Sequence, residues 1–83
     1  MAKKFIKNKI LLDLGFNQVD KKTQTEDGIL YDWFVFTKND VKIEVGKEYG
    51  YQGKCVLQML FFNDVQLMGF SGLSDVNNLI GLV

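Results

Sequence analysis

The side chains in this 83-residue chain that could do chemistry are its acids, its one thiol and its aromatic rings. There is no histidine and a single cysteine, Cys55. Neither a Ser-His-Asp nor a Cys-His nucleophilic arrangement can therefore be assembled. Carboxylate pairs could still act as acid and base, and the nearest in sequence are Asp27 with Asp32 and Glu44 with Glu48. Both read as solvated surface acids, because nothing around them marks an enclosed pocket. A lone cysteine without histidine also makes a zinc site hard to build. No catalytic residue, metal ligand or cofactor is assigned, and the chain is read as a non-enzyme.

The glycine-punctuated stretch from Gly46 to Lys54 invites comparison with phosphate-binding loops. A Walker loop needs Gly, four residues, then Gly-Lys-Ser/Thr, but Gly53-Lys54 is followed by Cys55 and position 48 is Glu. A dinucleotide fingerprint needs Gly-x-Gly-x-x-Gly opening a helix, whereas Gly46, Gly50 and Gly53 fall between strands. Gly50-Tyr51-Gln52-Gly53 matches the KH-domain Gly-x-x-Gly only formally, since that loop joins two helices. The stretch reads as a flexible β-connection carrying two tyrosines, Tyr49 and Tyr51, that suit contact with a partner. Cys55, at the start of the next strand, reads as a small buried hydrophobe.

Ten lysines balance ten acids, and there is no arginine. Lys3, Lys4, Lys7 and Lys9 precede every acid, so the rest of the chain carries 6 − 10 = −4. The basic start is most simply a solvated helix face. Without guanidinium forks or a basic field, nucleic acid is disfavoured as a partner. The hydrophobic share of 47% excludes intrinsic disorder and supplies one core. No apolar run approaches the roughly 20 residues of a membrane span, and the charged start is unlike a signal peptide. The expectation is a single cytoplasmic domain.

Apolar spacing predicts the elements that must carry these residues. Ile6, Ile10 and Leu14, widened by Leu11, predict a helix over 4–14 stopped by Gly15, with Phe16 folding back on its end. A weak edge strand is expected over 17–22, and Asp27-Gly28 marks a turn. Residues 29–37 carry the strongest strand signal. Two hairpins follow around Asn39-Asp40 and Asn63-Asp64, residue types that tolerate left-handed turn backbone. Ser74 is expected to cap a short closing helix with Leu79, Ile80 and Val83 on its buried side. The fold class is α+β: an antiparallel meander of four or five strands, with an N-terminal and a short C-terminal helix packed on one face.

The first turn pairs Phe36 with Ile43 and Phe34 with Val45 on one face, leaving Trp33, Val35, Lys42 and Glu44 on the other. If the helices cover the first face, Tyr31, Trp33 and Val35 stand on an open one. The second hairpin, with Leu60 opposite Leu67 and Phe62 opposite Val65, is apolar on both faces. It adds either Leu57, Met59, Phe61, Met68 and Phe70 or Val56, Leu60, Phe62, Val65 and Leu67 to that open side. A contiguous apolar patch on a small domain marks an interaction surface unless a helix on each side of the sheet buries both faces.

Leu11-Leu12-Asp13-Leu14-Gly15-Phe16 at one end and Gly72-Leu73-Ser74-Asp75-Val76-Asn77-Asn78-Leu79-Ile80 at the other resemble the ends of small α-β-meander-α proteins of phages and mobile elements, anti-CRISPR inhibitors among them. The resemblance implies a protein that binds and blocks a host enzyme or nuclease. On the residues, the expected function is a non-catalytic protein-binding module using Tyr31, Trp33, Val35, Tyr49 and Tyr51. The alternatives are single-stranded nucleic-acid binding on Tyr31 and Trp33 with Lys42 as a phosphate contact, or a homodimer packed sheet to sheet.

Overall fold

Two Asn-Asp turns set the register of the sheet. In the computed structural model, which describes residues 5–50, 53–69 and 72–83, Asn39 and Asp40 have φ of 53° and 63°, and Asn63 and Asp64 have 48° and 69°. Left-handed backbone at both central residues matches the twist of a two-residue hairpin. Strand β2 (Leu30–Lys38) thus returns as β3 (Val41–Tyr49), and β4 (Cys55–Phe62) returns as β5 (Val65–Leu67). With β1 (Asn17–Gln24) beside β2, the sheet is a five-stranded antiparallel meander in chain order. Phe36 lies opposite Ile43, Phe34 opposite Val45, Leu60 opposite Leu67 and Phe62 opposite Val65, as the turn chemistry predicts.

Helices α1 (Asn8–Asp13) and α2 (Leu73–Ile80) cover one face of this sheet. Leu11 from the first, Phe16 just beyond its end and Val76 from the second are buried against Phe34, Ile43, Val45 and Leu60. Ile10, Leu14, Leu79, Ile80 and Val83 pack around that cluster. Gly15, at φ 105°, ends α1. Its N–H bonds to Leu12 O and that of Phe16 to Leu11 O, both at 3.1 Å, which folds Phe16 back under the helix. The Phe16 ring then meets Phe36 with centroids 5.4 Å apart. None of the described helices is long and apolar enough to cross a membrane.

Three elements differ from the sequence reading. Helix α1 spans six residues instead of eleven, because Lys7 is extended and Ile6 is held by the sheet. Strand β3 runs on to Tyr49, so Gly46 to Tyr49 are strand and the connecting loop begins only at Gly50. Ser74 does not cap α2, whose N-cap is Gly72; the Asp75 carboxylate reaches back to the Gly72 N–H at 3.3 Å. Lys3, Lys4, Tyr51 and Phe70 lie outside the described residues.

The extended segment over 5–7 closes the part of the helix-side face that the short helices leave bare. Asp32, Lys47 and Gln58 stand there and are all buried. Gln58 Oε1 accepts from Ile6 N–H at 2.9 Å, and Lys47 Nζ donates to Ile6 O and, at 2.7 Å, to Asn8 Oδ1. Asn8 Nδ2 donates to Asp32 Oδ2 at 3.0 Å, Lys22 N–H to Asp32 Oδ1 at 2.7 Å, and the Tyr49 hydroxyl to Asp32. Asn8 thereby links the two buried charges through the two ends of one amide. Among the described residues no buried side-chain nitrogen or oxygen is left without a partner, which is the condition under which such groups can be buried at all.

The network makes stability depend on acid pH. Burial alone would raise the Asp32 pKa, but hydrogen bonds from Tyr49, Lys22 and Asn8, with the Lys22 charge, hold it below the usual carboxylate value. A folded-state pKa below the unfolded one contributes stability above the unfolded value, lost as pH falls through the folded one. Urea midpoints should therefore decline as pH drops from about 5 into the range below 4. Asp32→Asn should lower stability at pH 7 by about 1–3 kcal/mol and flatten that decline. An unchanged acid slope in the variant would show that Asp32 does not carry it.

Candidate functional site

Alternation along the strands puts a second set of side chains on the face away from the helices. On β2 these are Tyr31, Trp33 and Val35, each half-buried. On β3 they are Lys42, Glu44, Gly46 and Glu48, and on β4 Leu57, Met59 and Phe61, which pair directly across from Glu48, Gly46 and Glu44. Of the two sets open to the second hairpin, the register thus selects the one containing Leu57, Met59 and Phe61. Leu60, Phe62 and Leu67 belong to the core side instead. The helices do not straddle the sheet: every helix residue in the core cluster belongs to the other face.

Trp33 is the organising side chain of this face. Its indole lies across β3 directly over Gly46, where an added Cβ would stand 2.3 Å from ring atom Cζ3 and 3.2 Å from the Met59 methyl. Only the absence of a side chain at position 46 lets the ring lie flat and reach the next strand, where it meets Phe61 with centroids 5.3 Å apart. The indole N–H donates to Glu44 Oε2 at 2.7 Å, which fixes the ring's direction. Glu44 is steadied by Lys42 Nζ at 3.6 Å, and Lys42 binds Asp64 of the neighbouring turn at 2.6 Å. The Asp64 contact, with the charges of Glu44 and Asp64, holds Lys42 above its ordinary pKa despite some desolvation. A large aromatic ring held by a hydrogen bond and a close-packed floor gives up little conformational freedom on binding.

A groove of about 390 Å³ opens beside the indole, lined by Asp20, Thr25, Tyr31, Trp33, Glu48 and Met59. Asp20 pairs across from Trp33 on β1, and Glu48 across from Tyr31 on β3. The two aromatic residues are therefore flanked by a carboxylate-bearing residue on each neighbouring strand. Strand β1 achieves this through two register irregularities, between Gln18 and Asp20 and between Asp20 and Thr23, with Lys22 at φ 48°. Irregularities of this kind also make β1 a poor template for another strand.

Of the five residues expected to meet a partner, Tyr31, Trp33 and Val35 share this face. Tyr49 does not. It lies on the helix side, its hydroxyl bonded to Asp32 and its ring 3.0 Å from Lys22 Nζ, as part of the buried network. Burial first, then the Asp32 carboxylate, push its hydroxyl pKa well up, so it stays a proton donor. Tyr51 falls outside the described residues. Sequence reasoning missed Gly46, Asp20 and Glu48. The first and last could have been found by extending the hairpin register three pairs beyond Val45, which sets Gly46 opposite Trp33 and Glu48 opposite Tyr31. Asp20 had no such signal, because the β1 irregularities break the alternation that would place it. Cys55 is half-buried, and burial raises its pKa, away from the thiolate form that reacts.

Gly46→Ala should displace the indole from the sheet. The expected effects are loss of the Trp33–Glu44 hydrogen bond, seen as a shift of the indole N–H resonance, and a stability cost of about 1–3 kcal/mol. Glu44→Gln keeps the ring in place and should leave stability nearly unchanged. An indole resonance unaltered by Gly46→Ala would mean the ring does not rest on Gly46. Compared with family models, with curated proteins and with solved structures, the chain matches none, so this face has to be understood from its own geometry.

Proposed function

We propose that the chain is a non-catalytic protein-binding module that acts in the cytoplasm and docks on a partner protein through the open face of its sheet. The observation that carries this reading is the Trp33 indole, laid over Gly46, fixed by Glu44 and bordered by Met59 and Phe61 on the face without helices. Trp, Tyr, Phe and Met are the residues enriched where interfaces bury most, and a pre-oriented Trp is a frequent energetic anchor. Residues at the periphery support the same picture. Glu44, Glu48, Asp20 and Lys42 surround the apolar strip with charges, as a polar rim surrounds an interface core.

A nucleic acid suits this face less well. Stacking on Tyr31 and Trp33 would bring phosphates toward Asp20, Glu44 and Glu48, and Lys42, the candidate phosphate contact, is already bound to Asp64. The resemblance of the chain ends to phage and mobile-element proteins narrows the protein-binding reading to an inhibitor of a host enzyme, in the manner of anti-CRISPR proteins.

The test compares wild type with Trp33→Ala. Trp33 lies outside the core cluster, so the variant should keep its fold, with a stability loss of about 1–2 kcal/mol. Affinity capture from host cytoplasm should recover one partner in stoichiometric amount with wild type, and light scattering of the purified pair should give a single heteromeric mass. Trp33→Ala should weaken the complex by about 2 kcal/mol or more, roughly thirtyfold. A folded variant that retains the same partner at the same affinity would falsify the assignment of this face. A stable wild-type dimer, broken by Trp33→Ala, would turn the face into a self-interface.

A further inference from the structure

The groove beside Trp33 carries a chemical signature narrower than an apolar patch. Among the described residues its lining contains two aromatic residues, a thioether and two carboxylates, and no basic residue. Among the described residues neither the Asp20 nor the Glu48 carboxylate takes part in an ion pair, and the one basic residue placed on this face by the strand register, Lys42, is held by Asp64 and Glu44. We propose that the partner seats a basic side chain, an arginine or lysine, in this groove, over the Tyr31 and Trp33 rings and between Asp20 and Glu48. The proposal rests on the docking reading above and names the chemistry of its anchor.

The physical case has three parts. An indole is the strongest cation-binding ring among the side chains, and carboxylates on both sides add charge-assisted hydrogen bonds of the kind a guanidinium can make while its plane stacks on the ring. A neutral or acidic partner would strip water from two carboxylates and return no charge, so an occupant without a cation is penalised. The fold also holds a cation this way once already. On the opposite face Lys22 Nζ sits 3.0 Å from the centroid of the Tyr49 ring, whose hydroxyl donates to the carboxylate of Asp32.

Charge complementarity also argues against a second copy as the occupant. In a two-fold dimer of facing sheets the same patch meets itself, which brings Asp20, Glu44 and Glu48 of one copy toward their equivalents. The apolar strip of Leu57, Met59 and Phe61 next to the groove asks for apolar residues beside the basic one.

The experiment uses the full chain, isotope-labelled, and two short peptides as probes: acetyl-Leu-Arg-Leu-amide, and the same peptide with citrulline, the neutral isostere of arginine, in the central place. The single tryptophan makes the indole N–H resonance and the emission of Trp33 direct reporters of the groove. At low salt the arginine peptide should bind at least about fivefold more tightly than the citrulline peptide, with shifts centred on Trp33, Tyr31 and Glu48. That preference should shrink several-fold at about 0.5 M salt and vanish in the Asp20→Asn, Glu48→Gln double variant, whose fold is checked by its unchanged melting. Equal binding of the two peptides, a preference that survives in the double variant, or no shift at Trp33 with either probe overturns the basic anchor. The docking reading fails on a different result, namely retention of the protein partner by folded Trp33→Ala. A partner lost from Trp33→Ala together with indifference to arginine over citrulline would leave the docking face standing and remove its proposed anchor.

Discussion

The structure depends on how the buried charges Asp32 and Lys47 are satisfied. Helices of six and eight residues are too short to cover one whole face of a five-stranded sheet. The uncovered end of that face would expose backbone and apolar side chains to water. It is closed instead by a polar layer in which the extended start of the chain is the lid. Each member needs the others: Lys47 is buried because Ile6 O and Asn8 receive its protons, and Asn8 is oriented because Asp32 takes its N–H. Burial pushes the Lys47 pKa down, and the charge of Asp32 works against that shift. Removing any member would leave a buried group unpaired, a cost that usually exceeds the worth of the bond itself.

That arrangement has a consequence for the other face. Once the segment over 5–7 and the two helices together close the helix side, no described element remains to cover the far side, and its aromatic residues stay accessible. Strand β2 carries both duties in alternate positions. Asp32 and Phe34 point into the network and the core, while Tyr31 and Trp33 point outward. The same alternation continues on β3, where Lys47 is inside and Glu48 outside. Charges of both signs stand on each face: Lys22, Asp32 and Lys47 are engaged on the helix side, and Asp20, Glu44 and Glu48 share the open side with Lys42.

The sheet was readable from sequence because its signals are local. Asn-Asp turns fix two hairpins, and a period of two then settles which residues share a face. The sequence allows both helices on one face or one on each side of the sheet, and the packing of Leu11 and Val76 into one cluster with Phe34 and Val45 selects the former. What stayed hidden depends on contacts distant in the chain. Nothing near Ile6 announces that its N–H will bond to Gln58, 52 positions away, so the amphipathic pattern alone fits a helix reaching back to position 4. Glycines spaced through 46–53 look like a loop, yet Gly46 is a strand residue whose missing side chain makes room for Trp33. Tyr49 looks like a contact residue for the same reason, although it completes the Asp32 network. The residues flanking the groove escaped because polar positions in strands carry no signal until their neighbours are known.

Gly46 joins the two halves of this account. In a strand a glycine weakens pairing and contributes no packing of its own, so its presence in the central strand needs a compensating gain. Part of that gain is structural, since the indole shields the bare backbone and bridges β2 to β4 through Met59 and Phe61. Core burial alone does not require it, because Trp33 lies outside the core cluster and an alanine at 46 with a smaller residue at 33 would pair equally well. The pairing of the largest side chain with the smallest, locked by Glu44, instead yields a flat and rigid aromatic surface facing outward. Such a surface costs little to immobilise and so favours recognition over folding as the reason for its geometry.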